Sequence, residues 1–122
     1  MTDVSRETLN PVQVEEAIRE AVNEVSKGVV EYARVLTQFQ DAERAFDLAW
    51  AHSYMGRTGP VEERKQASVI ATITEREALD IARVAFKYVD KRLRAAESRL
   101  SAYQTLSKSV MAMYGAAGVS EY

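Results

Sequence analysis

The chain contains no cysteine, one histidine, one tryptophan and two prolines among 122 residues. Without cysteine there is no disulfide framework, no thiolate metal site and no thiol nucleophile, and a reducing cytoplasm is the expected setting. A single histidine, His52, excludes multi-histidine metal sites and the paired Glu-x-x-His ligands of di-iron bundles as internal sites. No metal and no cofactor is expected. Long apolar runs are missing too. None approaches the ~20 residues of a membrane span, so no membrane partner is expected. Residues 1–7 mix acids and bases and lead into no apolar run, so a secretory leader is not expected either.

Catalytic patterns are equally sparse. The Gly-x-x-Gly at Gly56 to Gly59 lacks the Lys-Ser/Thr ending of a phosphate-binding loop and reads as a connector. Nothing around His52 supports a hydroxyl–His–acid triad. The acid pairs Glu15/Glu16 and Glu62/Glu63 suit the positive ends of helix dipoles better than acid–base chemistry. A protein without enzymatic activity is the expectation.

What is present is helical rhythm. From Leu79 to Tyr114, steps of three and four give Leu79, Ala82, Phe86, Val89, Leu93, Ala96, Leu100, Tyr103, Ser107, Val110 and Tyr114. An apolar position every 3.5 residues is the seam of a helix packed lengthwise on another. The opposite side reads Lys87, Lys91, Arg94, Ser98, Ser101, Thr105 and Lys108, seven side chains with no acid. A second seam precedes the first: Ile18, Ala21, Val25, Gly28, Tyr32, Val35, Phe39, Ala42, Phe46 and Ala49. Gly28 interrupts it at ~1 kcal/mol relative to Ala, marking a bend, a close helix crossing or a break.

Punctuation sets the boundaries. Asn10-Pro11 is a cap followed by a first-turn proline, opening a helix over about 11–55. Gly56 to Pro60 is a loop with two Gly and one Pro. Residues 61–73 are a short helix or a joint, since Val69 to Ile73 is rich in β-branched residues. Thr74 and Glu77 form a capping-box pattern opening a long helix over about 75–114. Residues 115–122 read as a flexible tail. The long helix alone would measure ~60 Å, against a radius of gyration near ~14 Å for a globule of this length. The expected fold is therefore a single all-α domain, an elongated long-helix hairpin or bundle with heptad seams. Ile81, Val84, Ala85 and Tyr88 fall off the seam, and assembly into a homo-oligomer is the natural way to cover them.

Charge is unevenly placed. Residues 1–56 carry ten acids and five bases, whereas 57–122 carry eleven bases and eight acids. Such an asymmetry fits a polyanion-binding face, head-to-tail self-association, or pairing of the two halves within one chain.

Three short segments add a resemblance. His52-Ser53-Tyr54-Met55-Gly56-Arg57-Thr58-Gly59, then Thr74-Glu75-Arg76-Glu77-Ala78-Leu79, then Ser98-Arg99, resemble in order and spacing the UvsY family of phage recombination mediators, over about residues 30–112. The resemblance implies a small helical, ring-like oligomer that binds single-stranded DNA. It also implies displacement of single-strand-binding protein and loading of a RecA-like recombinase, in the cytoplasm of a bacterial host. The family's basic pair upstream of the loop is replaced here by Leu48 and Trp50. The basic role would pass to Arg57, Arg64 and Lys65, or to Lys87, Lys91, Arg94 and Lys108. Trp50 and Tyr54 offer stacking surfaces for unpaired bases at ~1–3 kcal/mol each if exposed, and core packing is the competing role for Trp50. The alternative function is a coiled-coil adaptor or assembly factor that binds no nucleic acid. A secreted Trp-x-Gly hairpin module fits poorly, because Ala51 and His52 follow Trp50.

Overall fold

The computed structural model describes residues 10–120, and its elements are three α-helices: α1 (Pro11–Met55), α2 (Val61–Ala71) and α3 (Ile73–Ser120). No strand occurs among the described residues. The all-α expectation is met at this level. Asn10 caps α1 reciprocally with Gln13. Asn10 Oδ1 accepts from the Gln13 N–H at 2.9 Å, and Gln13 Oε1 accepts from the Asn10 N–H at 3.1 Å. Both donors would otherwise be orphans of the first turn. The dipole role expected for Glu15 and Glu16 needs correcting, because the first turn of α1 contains no acid and Glu15 instead pairs with Arg19. In the loop, Gly59 adopts φ +111°, a left-handed conformation that L side chains rarely take. Glu62 and Glu63 do occupy the first turn of α2.

The break between α2 and α3 falls at Thr72, two residues before the expected cap. Thr74 lies inside α3, which begins at Ile73. The cause is a ladder of hydroxyls. Ser68 Oγ donates to the Arg64 carbonyl at 2.9 Å, and Thr72 Oγ1 donates to the Ser68 carbonyl at 2.8 Å. Back-bonding of this kind bends helices. Both side chains are buried, at 0% and 2% exposure, so the bend is set by tertiary packing as well as by the local motif. At its other end α3 continues through Ser120, so residues 115–120 are helix where a tail was expected; 121 and 122 lie outside the described residues.

The chain divides into two compact units. One comprises residues 10–28 and 92–120. Val14, Ala21, Ala96 and Val110 are its buried apolar residues, and Ile18, Val25, Leu93, Leu100 and Tyr103 are half-buried. Val14 extends the first seam one turn earlier than its spacing was read. Tyr114, at 47% exposure, does not belong to the buried set. Gly28 marks a close crossing: a Cβ there would sit 2.9 Å from Leu93 Cδ1. Glu24 and Arg99 pair across the same two helices.

The other unit is Val29–Lys91. Val35, Leu79 and Val89 are buried, and rings fill the remainder. Phe86 lies 5.3 Å from Tyr32 and 5.5 Å from Phe39. The Arg83 and Arg76 guanidinium groups sit over Phe39 and Phe46 at 5.8 and 5.3 Å. Rising numbers on α1 meet falling numbers on α3, so the two segments are antiparallel within this unit.

Candidate nucleic-acid interface

Two groups of candidate residues separate in the structure. The first forms around the end of α1. Trp50 and Tyr54, one turn apart on the same helix face, stack with centroids 5.2 Å apart and planes 9° from parallel. Arg64, on α2, places its guanidinium 4.1 Å from the Tyr54 centroid and donates through Nη2 to the Tyr54 carbonyl at 3.2 Å. That carbonyl also accepts from the Arg57 N–H at 3.3 Å, and as a second donor Arg64 ties α2 to the end of α1. Trp50, Tyr54 and Arg64 are thus brought together as a half-buried stack. Arg57 stands apart, exposed in the loop, with Nε donating to Ser53 Oγ at 3.2 Å. Lys65 is exposed and lies 3.9 Å from Glu62.

The second group lies along α3. In the Val29–Lys91 unit, Lys87 and Lys91 are exposed, and neither makes an ion pair among the described residues. In the other unit Arg94, Ser98, Ser101, Thr105 and Lys108 are exposed as well. Thr105 donates back to the Ser101 carbonyl at 3.2 Å. The lysines have ammonium groups available to an anionic ligand, while Ser98 and Ser101 offer hydroxyl donors.

Spacing alone did not reveal a groove in the Val29–Lys91 unit. Phe46, Trp50, Val69, Thr72, Ile73, Arg76 and Glu77 line a space of about 350 Å³ between α1, α2 and the start of α3. Its walls are mostly apolar. Arg76 carries its charge beside the Phe46 ring and 3.8 Å from Asp80. Glu77 makes no ion pair among the described residues. Phe46 and Trp50, four residues apart, were the available signal, but that spacing equally describes a core face.

Exposed apolar side chains add a further feature of this unit. Ile81, Val84 and Tyr88 recur at helical spacing on α3, at 72%, 68% and 61% exposure. Among the described residues no cluster of three or more His, Asp or Glu could hold a metal ion, and no helix is long and apolar enough to cross a membrane. No family model, curated protein or solved structure matches the chain.

Proposed function

We propose that the protein binds single-stranded DNA through the basic side of α3 and acts as a recombination mediator. In that role it helps a RecA-like recombinase onto the strand and displaces single-strand-binding protein. The observation that carries this reading holds in each unit by itself. In Val29–Lys91, Lys87 and Lys91 are exposed while Leu79, Phe86 and Val89 are buried or half-buried. In the other unit Arg94, Ser98, Ser101, Thr105 and Lys108 are exposed while Leu93, Ala96, Leu100 and Tyr103 are buried or half-buried. Lysine and arginine at such positions neutralise phosphates and release counterions, and hydroxyls hydrogen-bond phosphate oxygens. The protein works as a homo-oligomer, the assembly that the UvsY likeness implies. The likeness to UvsY mediators at the loop and at Thr74 to Leu79 supports the same reading, and the site of action is a bacterial cytoplasm.

The test is fluorescence anisotropy of a labelled single-stranded oligonucleotide at low and high salt, with light scattering to give the mass of the bound species. Salt-sensitive, sequence-tolerant binding by a discrete oligomer is expected, and reversing Lys87, Lys91 and Lys108 to Glu should abolish it. A folded oligomer that binds nothing at low salt would sink the DNA reading. The exposed Ile81, Val84 and Tyr88 would then favour a protein adaptor.

A further inference from the structure

We infer that the groove beside Trp50 takes one unpaired nucleobase from a bound strand, with Trp50 as its stacking platform. Its occupant follows from the single-strand binding proposed above, on which it rests. Size is the first constraint. About 350 Å³ is at the small end of the ~300–1,000 Å³ usual for ligand clefts, room for a nucleobase but not for a helix.

Chemistry is the second constraint. The Trp50 indole stacks on Tyr54 and also lines the groove, so it is held in orientation by one partner while meeting the groove's contents. Phe46, one turn earlier on α1, lines the same groove, and Val69 and Ile73 complete its apolar walls. Two charged groups stand among them. Arg76 can donate to ring nitrogens and carbonyls, and the Glu77 carboxylate can accept from an exocyclic amine. An aliphatic side chain from a partner would leave both groups unused, whereas a base has a π-face for the indole and a polar edge for the charges.

Placement is the third constraint, and it lies within one unit. Glu77 and Lys91 are fourteen residues apart on α3, ~21 Å along the axis and within ~40° of each other around it. At a stacked rise of ~3.4 Å per nucleotide that distance is about six nucleotides. A strand whose phosphates rest on Lys87 and Lys91 therefore has a base within reach of the groove. Of the two acids between Glu77 and Lys91, Asp80 is held by Arg83 at 2.9 Å and lies 3.8 Å from Arg76, and Asp90 is half-buried.

Trp50 is the only tryptophan, so its emission reports on this groove in the full-length protein. The probes are labelled oligo(dA) and an abasic strand with the same number of phosphates. Quenching of Trp50 that follows the oligo(dA) anisotropy titration is expected, with the abasic strand binding about 5–150-fold more weakly, the range for stacking one base. Trp50→Ala should lose the same factor and Trp50→Phe should restore most of it. Val69 is exposed at 53%, so Val69→Phe should fill the groove and weaken oligo(dA) binding without lowering the melting temperature. Oligo(dA) binding without quenching and with equal abasic affinity would overturn the groove and leave phosphate binding standing. No binding of either strand at low salt would overturn both. Trp50 emission that changes on dilution of the protein alone would assign the groove to a second copy and overturn the base.

Discussion

The Val29–Lys91 unit is held by rings and guanidinium groups, whereas the other unit is held by small aliphatic side chains and one close helix crossing. In the first, Phe86 touches two rings, and Arg64, Arg76 and Arg83 each cover an aromatic face. In the second, Val14, Ala21, Ala96 and Val110 are buried, and Gly28 lets Leu93 approach. In the ring-rich unit, Phe46, Trp50 and Arg76 themselves wall the groove. The tolerance of the two units to substitution should therefore differ.

Phe86→Ala should have the largest effect. It removes the ring shared by Tyr32 and Phe39, and a loss of about 3 kcal/mol is expected, near the low end for buried Phe because Phe86 is half-buried. Thermal unfolding followed by circular dichroism measures it, and a loss under ~1 kcal/mol would remove the ring cluster from the account. Next comes Gly28→Leu in the other unit. Overpacking against Leu93 should cost ~1–3 kcal/mol. A Leu93→Ala background should relieve part of that cost, whereas strict additivity in the double-mutant cycle would show that Gly28 and Leu93 are not coupled.

Arg64→Met should cost about 1–2 kcal/mol, from the cation–π contact and the hydrogen bond to the Tyr54 carbonyl. It should also shift Trp50 emission through Tyr54. A stability loss with unchanged emission would separate Arg64 from the stack. Asn10→Ala, which removes the α1 cap, should cost ~1 kcal/mol in a urea melt. Neutralising Glu24 to Gln, in an exposed pair with Arg99, should change stability by ~0–1 kcal/mol. A larger loss there than at Phe86 would invert the comparison.

Much of the fold was legible in the chain. Both seams name residues that are almost all buried or half-buried, because helical period depends only on local geometry and the side that meets a neighbour. Asn10 was legible for the same reason, since a cap is completed by residues three apart. The α2–α3 break was displaced because the Thr74–Glu77 pattern is local, whereas the Ser68–Thr72 ladder gains its force from burial against other elements. Residues 115–120 were misread because small residues and glycine weaken a helix without forbidding it. The lysines of α3 could be named from spacing alone. The groove could not, since Phe46 and Trp50 follow the rhythm of a core and only the position of Val69, Ile73 and Arg76 opens a space beside them.

The most direct test of phosphate binding by α3 is the slope of log affinity against log salt for a single-stranded oligonucleotide. It would be measured for the unaltered protein and for the variant with Lys87, Lys91 and Lys108 changed to Gln. At ~0.7 per phosphate contact on a single strand, losing three contacts should flatten the slope by about 2. A folded variant with the slope of the unaltered protein would contradict the assignment of these lysines to the strand.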